Sequence, residues 1–152
     1  MGAMRRAYET VLKRIEKRDD QRARMQTVVN LLWEDLHPTG VSWVGFYVHE
    51  GGEELVLGPC RDKPACSPIG LHGVCGRAFR ERRPIVVEDV AALGDNYIAC
   101  DPRDRSEVAV PLLRGDGSCW AVLDLDSHQV GSFSDEDAVN LEAVLRAAGL
   151  TA

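Results

Sequence analysis

The chain has 152 residues, 45% of them hydrophobic and 28% charged, which suits one soluble domain with a real core. A net charge of −6, with basic residues scattered apart from Arg80, Arg82 and Arg83, argues against nucleic acid and anionic membrane as partners. No apolar run is long enough to cross a bilayer, and Arg5-Arg6 precedes no signal-peptide core, so the cytoplasm is the expected location.

Met1 to Ala3 read as a cloning remnant before a native start at Met4, which leaves residues 4–152 as a single domain. Tyr8, Val11, Leu12 and Ile15 follow helical spacing, as do Met25, Val28, Val29, Leu32, Trp33 and Leu36. A charged break at Lys17-Arg18-Asp19-Asp20 divides the two helices, and His37-Pro38-Thr39-Gly40 ends the second. Val41 to Val48 is aromatic and β-branched, hence a strand, with a turn at Glu50-Gly51-Gly52. Leu55 to Leu57 begins another strand, and Gly58 to Gly73 reads as a loop rich in Pro, Gly and Cys. Val74 to Glu81 reads as a short helix and Pro84 to Val87 as a strand. Glu107–Leu113 and Ser118–Leu125 read as strands joined across Gly115-Asp116-Gly117. Ser134 starts a final helix as a capping residue, with an apolar stripe at Leu141, Val144, Leu145 and Ala148. Hairpin-linked strands with helices at both ends predict an α+β domain with an antiparallel sheet. The terminal helices are expected on one face and the long loops on the other.

Trp120 to Asp126 alternates strictly, so Asp124 and Asp126 share one face of their strand. A two-residue hairpin loop sets Glu107 opposite Asp126; a four-residue loop sets it opposite Asp124. Either register gathers three carboxylates on one face, whereas a three-residue loop would turn Glu107 to the other face. Crowded carboxylates repel and raise the pKa of at least one member, which suits proton transfer or cation binding. The alternative is that Asp124 and Asp126 are strand-end residues leading into a turn.

Five cysteines without a secretory signal argue against a disulfide scaffold. Cys66 and Cys75 lie among prolines and glycines, and Cys100 lies where an apolar run meets the polar segment Asp101 to Glu107. Together they have the character of a nucleophile and resolving thiols. Arg103 and Arg105 lie near Cys100, and the Val74 helix offers Cys75 a start that would lower its pKa. No two cysteines stand at C-x₂-C spacing, and His72 and His128 make only a loose fourth ligand. A structural zinc site is therefore not expected. Cys119 lies mid-strand and reads as packing. Trp43 and Tyr47 face the same way with Gly45 leaving a gap between them, which walls a small pocket or simply packs the core.

These motifs together resemble the free methionine-(R)-sulfoxide reductases, single-domain enzymes of the GAF fold. The resemblance is carried by WVGFY (Trp43 to Tyr47), LGP (Leu57 to Pro59), KPAC (Lys63 to Cys66), GVCG (Gly73 to Gly76), EDV (Glu88 to Val90) and IACD (Ile98 to Asp101). SEVAVPL (Ser106 to Leu112), VLDLDS (Val122 to Ser127) and FSDED (Phe133 to Asp137) continue it in order. It implies that Cys100 attacks the sulfoxide sulfur and becomes a sulfenic acid, which a second thiol condenses into a disulfide. Cys66 matches the usual resolving position and Cys75 the third cysteine. Thioredoxin or a similar dithiol protein would supply the electrons from outside, with no bound cofactor. Glu107, Asp124 and Asp126 match the acidic site, which protonates the sulfoxide oxygen on its way to water or holds the substrate ammonium. Trp43 and Tyr47 match the wall beside the methyl group. The chain departs from the pattern at Tyr97, where a histidine is usual, and at Cys60, where an aromatic is common.

A reading of another class is a GAF sensor that binds a small ligand without consuming it. Such a sensor is normally tethered to an output domain, so the short chain favours the enzyme. GAF domains often dimerise through helices; the Met25 to Leu36 stripe serves either a homodimer or the core.

Overall fold

The computed structural model describes residues 5–17, 20–62, 65–98 and 100–152. Met1 to Met4, where a cloning remnant and a native start are expected, Arg18 and Asp19 of the charged break, and Lys63, Pro64 and Ala99 of the motifs lie outside the described residues.

The core is a six-stranded antiparallel sheet in the order β3-β2-β1-β6-β5-β4. Its strands are β1 (Val41–Val48), β2 (Glu54–Arg61), β3 (Ile69–Gly70), β4 (Ile85–Val87), β5 (Ser106–Leu113) and β6 (Cys119–Ser127). The helices are α1 (Glu9–Arg14), α2 (Gln21–Leu36), α3 (Val74–Glu81) and α4 (Asp135–Ala147). Asp20 caps α2 by accepting from the Ala23 N–H, and Ser134 with Asp137 forms a capping box on α4.

Period-two alternation splits the sheet into two apolar faces. On one, Val44, Phe46, Val108, Val110, Leu112, Leu123 and Leu125 pack against Met25, Val28, Val29, Leu32 and Leu36 of α2 and Leu141, Val144 and Leu145 of α4. The α2 stripe is thus buried within the chain. Arg6 and Tyr8 pin α4 to this layer. The Arg6 guanidinium meets Asp137 Oδ2 at 3.1 Å, and the Tyr8 hydroxyl donates to Asp137 Oδ1 at 2.5 Å. On the other face lie Trp43, Tyr47, Ala109 and Val122, covered by α3, β3 and the loops.

Two expectations change. The stretch from Gly58 is not loop throughout: β2 continues to Arg61, and Ile69–Gly70 returns as β3 on its edge. Gly-Pro reads locally as a breaker, but here the pairing slips, with Tyr47 opposite Leu57 and Gly45 opposite Cys60. Gly58 and Pro59 share that bulge, where a missing N–H costs no ladder bond. In addition, α3 packs on β5 and β6 on the loop side of the sheet, so that side carries a helix as well.

Candidate active site

The β5–β6 hairpin sets the register of the acids. Its loop has three residues, Gly115 to Gly117. Arg114 N–H donates to Ser118 O at 2.8 Å and Gly117 N–H to Arg114 O at 2.9 Å. Gly117, at φ 88°, takes the left-handed position that closes such a loop. By itself this loop would turn Glu107 away from the aspartates. An irregularity next to it cancels the shift: Leu113 opposes Cys119 but Leu112 opposes Ala121, so Trp120 is the extra residue of a bulge. Beyond it Glu107 lies opposite Asp126 and Ala109 opposite Asp124. The pairing is that of a two-residue loop, reached by a three-residue loop and a bulge.

On the other side of β6, Trp43 of β1 opposes Asp126 and Gly45 opposes Asp124. Gly45 does not leave a gap. A Cβ there would stand 2.3 Å from the Trp43 ring, so the indole folds over it. Trp43 and Tyr47 have ring centroids 6.0 Å apart, tilted by 33°. The Tyr47 hydroxyl donates to Cys66 O at 2.8 Å, tying the wall to the cysteine loop.

Trp43, Tyr47, Val74, Cys75, Tyr97, Ile98, Cys100 and Asp104 join Glu107, Asp124 and Asp126 around a narrow cleft. Cys66 does not line it, but is disulfide-bonded to Cys100, with Cα atoms 5.5 Å apart. Asp124 Oδ1 and Trp43 Nε1 are buried without a hydrogen-bond partner among the described residues. Such atoms in a cleft wall are what a polar ligand satisfies.

Burial raises all three floor acids. Glu107 and Asp124 are buried, while Asp126 is half-buried. Asp124 is pushed well above the usual carboxylate range by burial first, then by the charges of Asp126 and Glu107. Asp126 is likewise well above it, from burial, Glu107 and Asp104, and Glu107 is raised by burial. Cys75 sits at the start of α3, yet its thiol is pushed up: full burial outweighs the helix end, and Asp124 and Glu107 add to it. Cys60 is half-buried, and Cys119 is buried with its S–H toward Ala121 O at 3.2 Å.

The loop after Cys100 carries residues the sequence reading left aside. Asp101 accepts from Arg103 Nε at 3.0 Å and Nη2 at 2.9 Å, which holds its pKa at about 2. Asp104 is 7% exposed and pushed up to about 7 by burial, then by Asp101 and Glu107. In sequence both acids belong to a mixed-charge stretch that reads as a solvated loop; only the fold turns Asp104 inward. Among the described residues, two groups have the donors for a cation, Cys75–Glu107–Asp124 and Asp101–Asp104–His128. In the first, burial favours the protonated forms, whereas metal needs deprotonated ligands, and in the second Asp101 is occupied by Arg103.

The GAF domain family matches residues 19–151. The chain is 41% identical to the free methionine-R-sulfoxide reductase of Escherichia coli over 76% of this chain and 67% of that one. It is 35% identical to the Saccharomyces cerevisiae enzyme of the same name over 77% and 67%. The X-ray structure of free methionine-R-sulfoxide reductase from Neisseria meningitidis in complex with its substrate superimposes with a TM-score of 0.85 at 34% identity, covering 97% of this chain and 93% of that one. With its GAF sheet, its acid-floored cleft and a cysteine at the rim, the chain belongs to the free methionine-R-sulfoxide reductases, a family of oxidoreductases.

Proposed function

We propose that the chain reduces free L-methionine-(R)-sulfoxide to methionine, with Cys100 as nucleophile and Cys66 as resolving thiol. The observation that carries this reading is the Cys66–Cys100 pair, of which Cys100 alone lines the cleft. The Cys100 thiolate attacks the sulfoxide sulfur while a floor carboxyl protonates the oxygen. The oxygen passes to the Cys100 sulfur, methionine departs with the electron pair, and Cys100 is left as a sulfenic acid. The Cys66 thiol then displaces that oxygen as water, forming the disulfide. A thioredoxin-type dithiol reduces it by exchange, which suits a cytoplasmic setting. Trp43 and Tyr47 wall the cleft beside the methyl group. Cys75 is the weaker candidate for attack because its surroundings keep it as a thiol.

The test is thiol-dependent turnover of the separated R and S epimers of free methionine sulfoxide. Turnover of the R epimer alone is expected; binding without consumption of either epimer would favour a GAF sensor. Cys66→Ser is expected to complete one turnover at the wild-type rate and then recycle slowly, as read in single- and multiple-turnover runs. Loss of the first turnover would move Cys66 out of the resolving role.

Asp124→Asn tests the proton-holding floor. Asp124 is raised by burial and by both neighbouring acids, so it belongs to the proton-holding cluster that shapes the basic limb of the pH–rate profile. Its removal is expected to shift that limb toward acid and to lower activity at neutral pH, with the fold intact because like-charge repulsion is relieved. An active variant with an unshifted limb would remove Asp124 from the cluster.

A further inference from the structure

We infer that Asp104 is a substrate-binding residue that adds a fourth carboxylate to the cleft and takes the α-ammonium group of the amino-acid substrate. This rests on the reductase reading above. Asp104 lines the cleft with the neutral Ser42 hydroxyl beside its carboxyl, and its Oδ1 is buried without a hydrogen-bond partner of good geometry among the described residues. The nearest cationic candidate is His128, whose Nε2 is 3.8 Å from that oxygen, beyond hydrogen-bonding range. Arg103, the guanidinium close by, is engaged by Asp101 through two hydrogen bonds.

The position of Asp104 is fixed before any ligand arrives. Its N–H donates to Asp101 O at 3.1 Å, closing the turn. Arg105 N–H donates to Ser127 O at 2.8 Å, and Arg105 O accepts from Val90 N–H at 2.7 Å, anchoring the loop to the end of β6. A buried carboxyl held beside Asp101 and Glu107 is costly unless a cation offsets it.

The chemistry also calls for two kinds of acid. The sulfoxide oxygen needs a protonated carboxyl, whereas the ammonium needs an ionised one, and one group cannot serve both at once. Three carbon atoms separate the sulfur from the nitrogen in methionine sulfoxide, so the acid that takes the nitrogen differs from the one that serves the sulfoxide oxygen. Glu107, Asp124 and Asp126 form the floor on β5 and β6, while Asp104 lies beyond the end of that hairpin, on the Cys100 loop. Asp104 titrates near neutrality, so an arriving ammonium readily displaces its proton.

Calorimetric titration of Cys100→Ser protein, which blocks turnover, separates this from a structural role. The probes are L-methionine-(R)-sulfoxide and 4-(methylsulfinyl)butanoate, which differs only in lacking the ammonium. Adding Asp104→Asn is expected to weaken the amino acid about 10- to 100-fold, the loss for one charged hydrogen bond, and to change the amine-free probe by less than about twofold. Asp104→Glu should restore part of the difference. Equal weakening of both probes, no weakening of either, or no binding by the Cys100→Ser parent overturns the inference. Should the asparagine variant fail to fold, Asp104→Ser is read in the same way. Turnover by the otherwise unaltered chain is a separate assay, so loss of this inference leaves the reductase reading standing.

Discussion

Cys100→Ser protein is expected to show no measurable reduction of methionine-(R)-sulfoxide, a fall of at least about a thousandfold, with substrate binding retained. The reason is that no other thiol can take its place. Cys66 does not line the cleft. Cys75 does, but burial and the charges of Asp124 and Glu107 keep it as a thiol, and only the thiolate attacks. Cys60 is raised by burial and Cys119 lies within β6, and neither lines the cleft. A serine hydroxyl neither attacks sulfur effectively nor accepts the oxygen. The check is methionine release under excess dithiol reductant, with the melting temperature measured alongside. Sustained multiple turnover by a folded variant would assign the attack to another thiol, Cys75 first.

Gly76→Ala is expected to be the most damaging single-methyl change. Gly76 is in α3, where a Cβ would stand 2.3 Å from Leu71 Cα, C and O. Those are backbone atoms, so no side chain can swing aside. The helix must retreat from the 71–73 turn or that turn must move. Overpacking of this kind costs typically about 1–3 kcal/mol, and rigid neighbours put this case at the upper end. The retreat also displaces Val74 and Cys75, which wall the cleft. Reduced denaturation midpoint and reduced turnover should therefore appear together. A wild-type midpoint for the alanine variant would show that α3 packs less closely on Leu71 than described.

A two-residue β5–β6 loop predicts the observed pairing of Glu107 with Asp126, but the turn itself has three residues. Period-two alternation in Trp120 to Asp126 puts Asp124 and Asp126 on one face, and Gly115-Asp116-Gly117 marks a hairpin joint. Neither reveals that Gly115 to Gly117 form a three-residue loop whose shift is cancelled at Trp120. A bulge is settled by which face of each strand the core accepts, and that face depends on α2, α4 and β1, distant in sequence. The β2 strand makes the same point. Gly58-Pro59 argues for a loop locally, but pairing with β1 carries the strand on to Arg61.

What the sequence by itself determined was set by short-range rules. Helical spacing located α1 and α2, Ser134 marked the start of α4, and β-branched and aromatic residues marked β1 with its bounds. The ordered motifs from WVGFY to FSDED carried the family. What only the tertiary structure decided was approach between distant segments. Cys66 and Cys100, 34 residues apart, meet because the loop held by Tyr47 folds over the end of the sheet. Cys75 loses the ionisation its helix start suggested because α3 is pressed onto the acids of β5 and β6, and desolvation outweighs the helix end. Asp104 looked like one charge among several in a solvated loop. It is buried because Arg105 and Ser127 pin that loop to the end of β6, a hydrogen bond between residues that local periodicity does not relate.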